Sequence, residues 1–322
     1  MKITNKLPSI KEFLYSNRTK WFVDQSFFAI FLLATLISSS FIFIVVGVIF
    51  QRGITPFVTD NFGLGAVNLW SFLTGDVYLT GSTFYSSQYE IGYLIVSTLY
   101  SAILALLIAF PVGVATALFI AKIAPKWLAN ILRTVVEILS SVPSIVFGLF
   151  GAVIILDQVY LFTESLGFQS RAGLSVLSTV LLLAMMIIPT ITAISEVAIR
   201  SVDQSIEQGA LALGATTTQK NFKVVLASAK SGIFSSAILG VGRALGEATA
   251  VSLVSGSRFS GYSFNIFDTT ATLTSRMLEG MKETSGVDYS IRFSIGLVLM
   301  GVILLTNFGL NFIKRRIGRV EI

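Results

Sequence analysis

The chain contains no histidine and no cysteine. Their absence removes disulfide frameworks, thiolate nucleophiles, iron–sulfur clusters, His-ligated haem and zinc sites built from His and Cys. It also removes Ser-His-Asp catalysis. Charge is the other scarcity. Only 12% of the 322 residues are Asp, Glu, Lys or Arg, roughly half the share found in soluble domains. Apolar residues take their place: 54% of the chain is hydrophobic and the mean hydropathy is +0.81. Such a composition belongs to a polytopic membrane protein. A phosphate loop of the form G-x-x-x-x-G-K-[ST] is missing too, since no glycine precedes a lysine anywhere. The chain therefore does not bind ATP in that way.

Five stretches run for 19 residues or more without a charge: 27–50, 91–121, 138–156, 172–195 and 293–313. A bilayer-spanning helix needs about 20 mostly apolar residues. A sixth stretch, 231–257, is apolar but carries Arg243 and Glu247. Backbone amides in lipid must find partners within their own segment, so these runs predict helices and an all-α fold with six transmembrane spans. The first run is too long for the apolar part of a secretory leader and no small-x-small site follows it, so it is expected to be retained. The organisation expected is an N-terminal segment 1–26, a first span 27–50, an external segment 51–90, a five-helix core 91–313 and a basic tail 314–322.

The net charge of +6 raises the question of nucleic acid, and its distribution answers it. Sixteen basic residues fall on one side: Lys2, Lys6, Lys11, Arg18 and Lys20 before the first span, Lys122, Lys126 and Arg133 after the second, Arg200, Lys220, Lys223 and Lys230 after the fourth, and Lys314, Arg315, Arg316 and Arg319 at the end. The other side has six, Arg52, Arg171, Arg258, Arg276, Lys282 and Arg292, against nine acidic residues. The asymmetry predicts cytoplasmic termini and a lipid bilayer, with no nucleic-acid role.

The two external segments, 51–90 and 258–290, are expected to hold short interfacial helices or turns. No metal-ligand spacing appears in either. The cytoplasmic segment 200–230 is too long for a minimal helix connection. Ser201 or Asp203 is placed to cap a helix running to Leu213, and Gly214 to stop it in a left-handed conformation. A second short helix over 217–227 is expected to follow. The apolar side chains of the whole 200–230 segment, Ile206, Ala210, Leu211 and Leu213 among them, have no lipid to enter. They either fold against their own bundle or form a docking surface for another protein.

Arg243 and Glu247 are four residues apart, which on one helix places them on one face. A charge at mid-membrane costs several kcal/mol, estimates starting at about 3, and such residues face protein or water. They are read either as a self-neutralising pair or as an anion pathway with Arg243 as its cation. Arginine suits a phosphate-like oxyanion because its planar fork bonds two oxygens at once. Gly242, Gly246 and Ala250 recur every fourth residue, a small-xxx-small seam for helix packing. Ser140, Ser141 and Ser144 surround Pro143, and Pro111 and Pro189 fall in other spans. These serines either line the pathway or bond to their own backbone. Glu137 and Glu196 are expected to pair with Arg133 and Arg200, respectively.

The segment EQGALALGATTTQKNFKVVLA resembles the cytoplasmic loop of importer-type ABC permeases, which has Glu-Ala-Ala, three residues, Gly, nine residues, then Ile-x-Leu-Pro. With Gly214 as that glycine, Gln208 stands at the glutamate position, Glu207 one residue early, and Ala227 where the proline belongs. GRALGEATAV resembles the RALGET-A-V segment of phosphate-importer permeases, and EILSSVPSIVFGLFG resembles their third core helix. Length and N-terminal region are more like the PstC type than the PstA type. The resemblance implies a type I, MetI-like permease architecture with no cofactor. It implies that Glu207, Gln208, Gly209, Ala210, Leu213 and Gly214 meet an ATPase subunit, and that phosphate passes Arg243 and Glu247. Implied partners are a PstA-like second permease, a PstB-like ATPase dimer and an external PstS-like phosphate-binding protein. Rival readings are a permease for sulfate, molybdate or phosphonate, an ion-coupled anion carrier, and an intramembrane enzyme. The last would need a Ser–Lys or carboxylate pair within the spans.

Overall fold

The computed structural model describes the backbone of residues 10–59, 66–80 and 88–318, with side chains described from 20 to 316 within those segments. Lys2, Lys6 and Arg319, and residues 60–65 and 81–87 of the external segment, lie outside the described residues. Among the described residues, six helices are long and apolar enough to cross a membrane: Lys20–Val58, Gly92–Ile123, Ser144–Ser165, Val176–Arg200, Thr217–Gly246 and Gly286–Arg316. The chain is an all-α polytopic membrane protein.

Helix α1 (Ile10–Val58) runs past Phe50 into the stretch expected to be external. Between residues 20 and 51 its apolar side chains, among them Phe31, Phe41 and Phe43, are exposed all round. A helix with no polar face gains nothing from water and fits lipid.

From residue 52 onward the core is built on three long helices: α3 (Gly92–Leu118), α7 (Val176–Arg200) and α10 (Leu226–Gly246). Small side chains on α3, Ala102, Ala105 and Ala109, are buried against Val180, Leu183, Ile187 and Ile191 of α7 and Val241 and Ala244 of α10. Lipid tails are as apolar as leucine, so close packing rather than the hydrophobic effect holds such helices together. At Gly113 a Cβ would stand 2.7 Å from the Ile191 side chain. Pro111 and Pro189 lie inside the continuous helices α3 and α7.

Two expected spans are interrupted. The third is split between α4 (Lys126–Ser141) and α5 (Ser144–Phe150), which continues through a π turn into α6 (Leu156–Ser165). Pro143 lacks an N–H, and Val142 before it is extended at ψ 129°, as the proline ring requires. The fifth ends at Gly246, Glu247 is extended at ψ 117°, and a new helix α11 (Thr249–Val254) follows. The second short helix expected over 217–227 is not separate. The turn α9 (Thr217–Gln219) and a π turn over Lys220–Val225 lead directly into α10.

The end of the bundle that carries residues 66–80, 88–89 and 258–290 forms a cap. Helix α2 (Leu69–Thr74) is followed by a hairpin pairing β1 (Tyr78–Leu79) with β2 (Gln88–Tyr89), an element the sequence reading did not foresee. Helix α12 (Leu273–Leu278) then brings in Arg276, and α13 (Gly286–Gly318) brings in Arg292. Both guanidinium groups are buried, at 3% exposure each. Arg292 donates to the Arg276 carbonyl at 3.0 Å, to Thr284 Oγ1 at 3.2 Å and to the Glu279 carbonyl. Arg276 bonds Glu279 at 2.7 Å and the Arg258 carbonyl, and lies 4.6 Å from the Phe259 ring centre. Burial pushes the Tyr78 phenol beside them up to about 12.

Candidate substrate pathway and docking helix

Arg243 sits in the last turn of α10 and is half-buried. Its Nη1 donates to Thr190 Oγ1 of α7 at 2.9 Å. No ion pair joins it to Glu247 among the described residues. The expected shared face is lost because the helix ends between them. Glu247 instead caps the next helix: its carboxylate accepts from the Ala250 N–H and from Thr249 Oγ1, both at 3.0 Å. That carboxylate satisfies an otherwise orphaned helix-start amide, which favours the break over a continuous helix. Thr274 of α12 donates to the Glu247 carbonyl at 2.7 Å.

Of the three serines, Ser144 hydrogen-bonds Thr249 across the two helix breaks at 2.9 Å. Ser141 donates to its own backbone at Ile138, 2.7 Å away. Ser140 has a buried hydroxyl without a partner. The structure thus brings Ser144, Thr249 and Glu247 together, and separately Arg243 and Thr190. Thr190 and Thr249 were missed in the sequence. The only signal for Thr190 was its place directly after Pro189 in an apolar run.

The glycine seam is also corrected. A Cβ on Gly242 or Gly246 would meet nothing within 4 Å. These two leave an open helix face rather than a packed one within this chain. Ala250 lies on α11 beyond the break and is fully buried. It packs against Gly148, where a Cβ would come within 2.8 Å of the Ala250 Cα.

At the other end, α8 (Gln204–Ala212) starts at Asp203, whose carboxylate accepts from the Ser205 N–H at 2.8 Å. It stops at Gly214, with φ 84°, a conformation glycine adopts without strain. No residue of α8 is buried, and Leu213 is 91% exposed. Gln208 and Gly209 are exposed and Ala210 half-buried. Glu207, expected to meet a partner, turns inward and pairs with Lys122 and, at 3.1 Å, with Lys220. Burial alone would raise its carboxyl, but the two lysine hydrogen bonds outweigh it and hold it below the usual range. Arg133 pairs not with Glu137 but with Glu196, at 2.7 Å, and Arg200 shares that carboxylate at 2.7 Å. The sequence reading missed that one buried glutamate gathers both.

Residues 110–319 match the family described as binding-protein-dependent transport system inner membrane component. A probable ABC transporter permease protein, YqgH, from Bacillus subtilis is 33% identical over 79% of this chain and 83% of its own length. The phosphate transport system permease protein PstC of Pasteurella multocida is 32% identical over 70% and 74%. A probable PstC of Methanocaldococcus jannaschii is 29% identical over 98% and 97%. Among solved structures, a bacterial alginate ABC transporter bound to its periplasmic protein aligns with a TM-score of 0.63 at 17% identity, covering 96% of this chain and 99% of that one. An inward-facing MetNI methionine ABC transporter aligns at 0.51 and 18% identity, covering 71% and 94%. Those two likenesses establish the fold as that of ABC importer permeases. A broken-helix bundle with an exposed loop helix agrees with the family match: this chain belongs to the binding-protein-dependent transport system inner membrane components, a transport subunit of the membrane.

Proposed function

We propose that the chain is the PstC-type permease subunit of an ATP-driven inorganic phosphate importer, forming half of the pathway by alternating access. The observation that carries this reading is Arg243: a guanidinium within a spanning segment whose hydrogen-bond partner is a single hydroxyl. A structural arginine in that position would be saturated. The other donors of Arg243 have no partner among the described residues, and the neighbouring Gly242 and Gly246 leave open space on that stretch of α10. A phosphate oxyanion takes two N–H bonds from such a fork. The similarity to proteins named for phosphate transport supports phosphate over other oxyanions.

The charge asymmetry puts both termini and α8 in the cytoplasm. There the exposed Leu211, Leu213 and Gly214 meet an ATPase subunit, one of a pair that also serves a PstA-like second permease. A PstS-like binding protein delivers phosphate from outside. Closure of the ATPases pushes α8, and the rigid junction through Glu207, Lys122 and Lys220 carries that push into α3 and α10.

The test is labelled-phosphate uptake in vesicles holding the assembled complex. Uptake ceases when the ATPase is inactivated and persists when the proton gradient is dissipated. The reverse pattern identifies an ion-coupled carrier, and competition by sulfate or molybdate at equal concentration identifies another oxyanion. Gly214→Val forces a β-branched residue into a left-handed turn that costs it about 1–2 kcal/mol. It should leave ATP hydrolysis running while uptake falls; coupled transport at the parental ratio would remove Gly214 from the docking turn.

A further inference from the structure

The external end carries a second cationic feature, apart from the Arg243 region. An open cleft of about 740 Å³ is lined by Ser170, Arg171, Ser257, Arg258, Asp268 and Thr269, among others. It brings together the loop before α7 and the loop after α11. Arg171 is exposed, and its guanidinium has no hydrogen bond or ion pair among the described residues. Arg258 is aimed by backbone carbonyls: its Nε donates to Ser260 at 2.8 Å and Gly261 at 3.1 Å, and its Nη1 reaches Thr269 at 3.5 Å. Asp268, the one carboxylate in the lining, is already engaged. It accepts from Ser263 at 2.6 Å, Asn265 at 3.1 Å and Arg258 at 3.4 Å.

The backbone is unusual at the same place. Only two non-glycine residues have positive φ among the described residues, Ala172 at 51° and Ser257 at 49°. Each is the sequence neighbour of one of the two arginines. Left-handed non-glycine residues are held against steric cost, and they cluster where a loop must present a group to a ligand. Gly256, also left-handed at 85°, precedes Ser257 in the same turn. Water's share of liquid volume is about 30 Å³, so the cleft admits an oxyanion with part of its hydration shell.

We infer that this cleft is an external capture site for a tetrahedral oxyanion, inorganic phosphate above all, with Arg171 as the free cation and Arg258 as the fixed one. The inference rests on the orientation and substrate proposed above. Anions released outside dwell here, held by two cations against one carboxylate, before they reach Arg243. Weak binding suits the role, because a strong site would hold the anion back.

The absence of cysteine gives a direct test, since Gln169→Cys places a unique thiol in this chain at the rim of the cleft with both arginines intact. The complete importer in vesicles, without binding protein, is labelled from outside with a membrane-impermeant thiosulfonate. Phosphate at about twice its dissociation constant should slow labelling about threefold, the factor being one plus the ratio of concentration to constant. Chloride at equal ionic strength should not. Protection should vanish in Gln169→Cys/Arg171→Gln and persist in Gln169→Cys/Arg243→Gln. Equal labelling rates with and without phosphate overturn the proposal, as does protection that survives Arg171→Gln. Slowing that appears only on adding binding protein, loaded or empty, overturns it in favour of an acidic side chain of that protein docking on Arg171. Protection at position 169 in a complex with Arg243 intact that takes up no phosphate keeps the capture site and refutes the transport function, so the two failures are told apart.

Discussion

Arg292 of the cap and Arg243 of α10 are the same side chain in opposite circumstances. Arg292 is 3% exposed and donates to two carbonyls and a hydroxyl. Arg243 is half-buried and donates to one hydroxyl. A saturated buried arginine cross-links backbone segments, and losing it strands the carbonyls it served. An unsaturated one within a spanning segment has donors to spare for something that comes and goes. The number of partners, three for Arg292 against one for Arg243, separates the charge that builds the cap from the charge assigned to the pathway.

That distinction ranks the effects of substitution. The largest loss of stability belongs to Arg292→Ala, which leaves the Arg276 and Glu279 carbonyls without their donor. It should destabilise the cap by about 3 kcal/mol or more, read as protease sensitivity of the 258–290 segment and poor accumulation in the membrane. A well-folded variant would break the comparison at its structural end. Thr190→Val removes the one hydroxyl that orients Arg243 at nearly constant volume. It should leave accumulation unchanged and shift the half-saturating phosphate concentration about fivefold, corresponding to about 1 kcal/mol. Unaltered uptake kinetics would mean that Arg243 needs no orientation.

The smallest effect at neutral pH concerns Glu207, an intermediate case with two lysine partners. Its carboxyl is depressed, so its anchoring contribution is present above the ordinary glutamate pKa of about 4.3 and is lost as pH falls through the lower folded value. Proteolytic nicking around α8 should therefore be flat from neutral to mildly acidic pH and rise only below that point. Glu207→Gln should show slightly higher nicking with no such acid limb. A limb retained in the variant would assign the titration elsewhere.

Much of this was legible in the sequence, for identifiable reasons. Uncharged runs of membrane length mark spans because lipid forbids unpaired backbone, and each run overlaps one of the six candidate helices. Gly214 was legible as a stop because a left-handed residue after an apolar helix has few alternatives. What escaped were the features decided by which of several partners a charged group takes. The break at Glu247 follows from a carboxylate choosing the Ala250 amide over Arg243, a local contest that spacing alone scores the other way. Glu196 takes Arg133 from a neighbouring helix, which no i to i+4 count reveals. Arg276 and Arg292, counted as ordinary loop charges, are buried because cap carbonyls and aromatic rings receive them. The glycines at 242 and 246 looked like a seam, yet the tight contacts fall at Gly113 and Gly148.

The central claim is tested most directly on one variant by two readings taken together. Arg243→Ala in the assembled complex is compared with the parent for thermal midpoint and for ATP-driven phosphate uptake. The account predicts a midpoint within about 2 °C of the parent, as expected for less than about 1 kcal/mol of lost stability, and uptake at background. A complex that unfolds early would make Arg243 a structural residue like those of the cap, and one that still imports phosphate would remove it from the pathway.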